Sequence, residues 1–251
     1  MHNNFKRSKL NTAIGAAILS MSALPMLADA GTTGLYSIDG VSGFDDPLII
    51  NTSVGAVKVF GSMSSITNNG TIESSEAALS YYGDLDGELV NNGDIFAFGS
   101  SSTTVGAVGV ATSGNITNTG SITLKADSLI YVEALRGDDA YAIGIGADII
   151  AGDITVEAGA EVEAAAYSAY FASVAGIYAD STITGSIIND GEIIAEASAS
   201  SAYAAGISAE NGDITGTIIN RGTIEGFAEG VLSAEALGIY AGNDISGNIT
   251  N

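Results

Sequence analysis

One unit is written twice in succession near the end of this chain and begun a third time. The first copy reads Ile183-Thr-Gly-Ser-Ile-Ile-Asn189-Asp-Gly191-Glu-Ile193, then an Ala/Ser segment, then Ala205-Gly206-Ile207. The second reads Ile214-Thr-Gly-Thr-Ile-Ile-Asn220-Arg-Gly222-Thr-Ile224, an Ala/Glu segment, then Leu237-Gly238-Ile239. Ile245-Ser-Gly-Asn-Ile-Thr-Asn251 opens a third, and the steps from Asn189 to Asn220 and from Asn220 to Asn251 are equal. A fixed period with one supersecondary unit per copy restricts the fold to a stacked repeat, in which each unit buries its apolar side against the next.

Within the unit, β-branched residues alternate with small or polar ones, the period-2 pattern of a strand. Asn-x-Gly between two such runs supplies a corner, since both residues accept positive φ and the Asn side chain can bond its own backbone. The same dipeptide chemistry suits a hairpin. Recurrence of one corner at a constant interval favours strands stacked coil on coil, in parallel, about 4.8 Å apart.

Earlier corners are less regular. Ile66-Thr-Asn68-Asn-Gly70-Thr-Ile72, Leu89-Val-Asn91-Asn-Gly93-Asp-Ile95 and Ile116-Thr-Asn118-Thr-Gly120-Ser-Ile122 read as three of them, with their glycines closer together than in the late copies and unevenly spaced. Ile154-Thr-Val-Glu157-Ala-Gly159-Ala-Glu-Val162 follows, with Glu157 at the Asn position. Gly-hydrophobe pairs at Gly109, Gly144, Gly176, Gly206 and Gly238 mark a further strand, so each coil is expected to carry three short strands. Residues 161–171 and 196–205 are rich in Ala, the best helix former, but also carry Ser, which competes with helical bonds. Strand or loop is the expectation there.

Residues 1–30 read as a cleaved export signal: Lys6, Arg7 and Lys9, then the apolar stretch Thr12–Leu27, then Ala28-Asp29-Ala30 as an A-x-A site. Residues 31–60 would form a cap or first coil, and 61–251 the repeats. Without the signal, 4 basic and 28 acidic residues remain, a net charge of −24. That excludes the basic footprint of a nucleic-acid partner.

The repeated I-T-G-x-I-x-N-x-G-x-I string with A-x-G-I, behind an export signal in an acidic, cysteine-free chain, resembles the passenger domains of bacterial autotransporters. The resemblance implies an all-β, right-handed parallel β-helix, here of about six irregular coils. It also implies display on the surface of a Gram-negative bacterium through a C-terminal outer-membrane β-barrel, which these residues do not include. The expected role is that of a surface stalk or adhesin-like passenger, associated with virulence, whose partner is a ligand on a host or neighbouring cell. The coil opened at Ile245 also suggests end-to-end self-association, because an uncovered strand edge templates pairing.

Chemistry is sparse. His2 is the only histidine and cysteine is absent, so nucleophilic triads and His/Cys zinc sites are excluded. No cofactor, metal or catalytic residue is expected, and the segment reads as non-catalytic. The alternative is a carbohydrate-active β-helix, a polysaccharide lyase or glycosidase, working through carboxylates and a basic group. Its candidate clusters are Asp45-Asp46, Asp84 with Asp86, and Asp138-Asp139, and its basic residues are Lys58, Lys125, Arg136 and Arg221. Two tyrosine pairs also stand two periods apart: Tyr141 with Tyr203, and Tyr178 with Tyr240. An exposed aromatic row could bind a partner or glycan; packing against loops is the plainer reading.

Overall fold

The computed structural model describes residues 38–41, 48–59, 65–75, 77–81, 87–100, 104–112, 117–118 and 120–251. The export signal, Asp45-Asp46, Asp84 and Asp86 lie outside the described residues. Among those described, every regular element is a strand. All strand pairings are parallel, each joining one turn of the chain to the next. The protein is a parallel β-solenoid.

Its first wall is an eight-stranded sheet. Leu48, Ile66, Leu89, Ile122, Ile154, Ile187, Ile218 and Ile249 stand in register along it. All but Ile249 are buried, so the column forms an interior ladder that ends at Ile249. Each fully buried rung contributes roughly 1.5–3 kcal/mol of transfer free energy. A neighbouring column closes the corner. Asn68 pairs with Asn91, and Asn189 with Asn220. Asn68 Nδ2 donates to Asn91 Oδ1 at 2.8 Å and Asn189 Nδ2 to Asn220 Oδ1 at 2.8 Å; Asn220 Nδ2 donates to Asn251 Oδ1 at 2.6 Å. The last amide of a run turns to its own glycine carbonyl, as Asn91 does to Gly93 O at 2.8 Å.

Two corners fall elsewhere than the sequence pattern suggests. Ile122 pairs with Leu89 and Leu124 with Asn91, so the third corner follows Leu124 rather than Asn118; Asn118 pairs with Ile150 in a separate two-stranded ladder. In the next turn Val156, not Glu157, pairs with Asn189. The reason is chemical. Leu124 and Val156 have no amide to hold a tight turn, so the connection to Ile130 and Val162 is longer and uses left-handed backbone, at Asp127 (φ 66) and Gly159 (φ 85). Asn189, stacked above Val156, finds no donor below it, and its Oδ1 has no hydrogen-bond partner.

The remaining strands form a twelve-stranded sheet that folds into a second and a third wall. Thr71–Ser74, Asp94–Ser100, Leu129–Leu135 and Glu161–Tyr167 build the second. Ala77–Tyr81, Thr104–Thr112, Asp139–Ala147 and Phe171–Ala179 build the third. In the last two turns one strand serves both walls, Glu192–Ala209 and Thr223–Ala241. Three short strands per coil is therefore right only for the earlier turns. Arg136-Gly-Asp138 breaks the strand with a left-handed Arg136 (φ 64), whereas Ser198-Ala-Ser200 carries no such turn signal and pairing continues.

The Ala-rich stretches are strands because small side chains are needed inside. Ala164, Ala166, Ala195, Ala197, Ala202 and Ala204 all point into the core. The two walls approach closely at the glycine column: a Cβ on Gly176 would stand 2.5 Å from Ile193 Cγ2, and one on Gly206 would stand 2.5 Å from Ile224 Cγ2.

Candidate functional site

Most residues singled out in the sequence are dispersed. Lys125 Nζ donates to Glu157 Oε1 at 2.7 Å, and Arg221 Nε to Asp190 Oδ1 at 2.7 Å, both at exposed turns. The Lys125 hydrogen bond holds the Glu157 carboxyl below its usual range. These two cations are occupied. Arg136 and Asp138 share the turn between the second and third walls, and Asp139 opens the third-wall strand; no ion pair joins them among the described residues.

The tyrosines do not form a row. Ser173 separates Tyr141 from Tyr203, and Ser208 separates Tyr178 from Tyr240. They pair sideways instead. Tyr141 lies 5.8 Å from Phe171, Tyr203 lies 5.9 Å from Tyr240, and the Tyr178 hydroxyl donates to Glu210. Burial and the Glu210 carboxylate push the Tyr178 hydroxyl pKa well up.

The structure assembles a different group on the second wall. Alternation sends Ile95, Ala97, Ile130, Val132, Val162 and Ala164 inward, so Phe96, Phe98, Tyr131, Glu133 and Glu163 face outward. Phe96 pairs with Tyr131 and Phe98 with Glu133. Tyr131 then pairs with Glu163, and Ala165 joins Glu133 to Glu196. The rings of Phe96 and Phe98 are stacked at 6.1 Å with 13° between planes. Tyr131 completes the group at 6.5 Å and 5.9 Å from them. Tyr167 stands at the end of the same wall.

Carboxyls surround these rings. Burial pushes Glu163 up to about 7, and the neighbouring Glu161, Glu196 and Glu133 act in the same direction. Burial raises the Tyr131 and Tyr167 hydroxyls as well, with Glu133 and Glu163 adding to the first and Glu196 to the second. No Lys or Arg occurs in the second-wall strands. The result is a wall offering aromatic faces and several carboxyls, one of which, Glu163, is pushed up to about 7. No group of His, Cys, Asp and Glu among the described residues is arranged to hold a metal ion.

A signal for this surface is present in the sequence. Phe96-x-Phe98, Tyr131-x-Glu133 and Glu161-x-Glu163 follow three successive corners with i, i+2 spacing, which puts each pair on one face. Placing the third corner at Asn118 breaks the alignment that sets Phe96 beside Tyr131 and Tyr131 beside Glu163.

The family model described as the BigA third pectate lyase-like domain matches residues 26–251. No curated protein and no solved structure matches the chain. The family match overturns the expectation of a non-catalytic segment. Lack of Cys, and of His among the described residues, removes triads and His/Cys zinc centres there, but proton transfer by carboxyl or basic side chains requires neither. By a match that runs over most of its length, this chain belongs to the BigA third pectate lyase-like domain family.

Proposed function

We propose that this domain is the polysaccharide-directed part of an exported surface protein, displayed in the manner of an autotransporter passenger. Domains of this family occur in bacterial surface proteins, and the family name denotes a likeness to lyases of a polysaccharide. The observation that carries the reading is the ring group Phe96, Phe98 and Tyr131 on an outward wall of the solenoid. Sugar rings stack their C–H faces on aromatic side chains, and here the rings stand on two adjacent turns, Phe96 beside Tyr131.

Acid–base chemistry is available on that wall. Glu163, whose carboxyl burial pushes up to about 7, can donate a proton, while Glu133 or Glu196 supplies the partner carboxyl to accept one. Two carboxyls in unlike environments divide the labour of cleaving a glycosidic bond in this way. Elimination from a uronate instead needs a cation beside the substrate carboxylate. Arg136, directly after Leu135 at the end of the wall, is the cationic residue placed for that.

The test is a panel of polysaccharides, including polygalacturonate and neutral glucans. Retardation in affinity gels reports binding, new reducing ends report hydrolysis, and ultraviolet absorbance of an unsaturated product reports elimination. Binding lost in Phe98→Ala with Tyr131→Ala is the expected result. Failure of every polysaccharide in all three assays refutes the proposal.

A further inference from the structure

The second wall has a charge character that narrows what it can hold. Its outward rows carry Glu133, Glu163 and Glu196 among the rings of Phe96, Phe98 and Tyr131. None of its strands supplies a compensating cation. Lys125 and Arg221 are held at turns by Glu157 and Asp190, and Arg136 stands only at the far end of the wall, after Leu135. A polyuronate laid here would bring carboxylates against carboxylates on a molecule that already bears a net charge of −22. Like charges so juxtaposed oppose binding. An ammonium group meets the opposite situation: carboxylates for charge-assisted hydrogen bonds and ring faces that attract a cation within about 6 Å.

We infer that this wall binds a cationic amino-sugar polymer, its pyranose rings on Phe96, Phe98 and Tyr131 and its ammonium groups on Glu133 and Glu196. The inference rests on the polysaccharide reading above and names the substrate class. Successive strands stand about 4.8 Å apart, close to the length of one sugar residue. A polymer running along the solenoid axis therefore meets a new turn with each residue, passing from Phe96 and Phe98 to Tyr131 and Glu133, then to Glu163, then to Glu196. A cationic peptide fits less well. The backbone groups of this wall are consumed in its own parallel ladder, so a peptide would gain side-chain contacts alone and no added strand.

Titration calorimetry of the whole chain at low salt separates the outcomes. The probes are glucosamine oligomers, the same oligomers fully N-acetylated, polygalacturonate and polylysine of matched length. Glucosamine oligomers should bind, and N-acetylation, which removes the charge, should weaken them by roughly tenfold or more. Glu196→Gln and Phe98→Ala should each weaken glucosamine binding by a similar factor. Glu88→Gln, on the first wall, should leave it unchanged, and circular dichroism checks that each variant keeps its strands. Equal affinity for N-acetylated oligomers, indifference to both second-wall variants, or equally tight polylysine binding each overturns the inference. Binding or turnover of polygalacturonate with glucosamine oligomers ignored overturns it and leaves the polysaccharide reading standing. Silence from every sugar removes both.

Discussion

At position 163 a carboxyl is held where burial and the carboxylates of Glu161, Glu196 and Glu133 resist its ionisation. The sign of the resulting pH dependence follows. The folded value, about 7, lies above the ordinary 4.5, so between the two the folded chain keeps a proton that the unfolded chain releases. Stability is therefore full below about pH 4.5 and falls as pH rises towards 7, by on the order of 2 kcal/mol once partial exposure to solvent is allowed for. Glu163→Gln should flatten the dependence of melting temperature on pH across that window, and an unchanged slope would show that the carboxyl ionises freely. Ile218 presents the opposite chemistry. Fully buried between Ile187 and Ile249, it has no partner to offer a charge. Ile218→Asp should cost about 4 kcal/mol or more, seen as loss of cooperative urea unfolding; a variant as stable as the parent would mean that the ladder does not pack.

The turn is the element on which sequence and structure part company. Where Asn occupies the corner, as at Asn68, Asn91, Asn189 and Asn220, the motif reads directly and the register follows it. At Leu124 and Val156 the corner residue has no side-chain amide to bond, and left-handed residues at Asp127 and Gly159 take over. Position 156 keeps the inward direction of the side chain but not its amide, and a pattern search keyed to Asn passes over it. The two solutions should be interchangeable only as whole turns. Asn189→Val alone removes the bonds from Nδ2 to Asn220 Oδ1 and Thr223 O, an expected loss of about 2 kcal/mol. Replacing Asp190-Gly191 at the same time by the Glu157–Ala160 turn should recover most of it in urea titrations. No recovery would mean that the amide column, not turn length, governs the corner. The second-wall site was illegible for the same reason, since its rows align only when these corners do.

Across the whole molecule, stacking and charge oppose one another. The final turn leaves Val231 91 % and Leu232 81 % exposed and Ile249 45 % exposed, with the free edge of Thr223–Ala241 beside them. Repulsion between acidic copies is screened beyond roughly 8 Å at physiological ionic strength, whereas strand pairing acts at about 4.8 Å. A polypeptide cut after Asn251 is thus expected to stay dispersed at low salt and to associate through this edge as salt rises. Light scattering across a salt series checks this, and a monomer unchanged in molar salt contradicts it. The parallel solenoid itself was readable from the constant repeat interval, because stacking is the arrangement that gives every copy the same neighbours. Its use was not, because alternation marks which side chains face outward but not which rows they join. The in-register ladder has a last consequence. Every rung is set by the rung before it, so the loop that must close during folding is one turn long however many turns the chain has. Such a protein is built like brickwork, course upon course. Its length can change by whole courses, added or deleted in evolution, without any interface being invented anew.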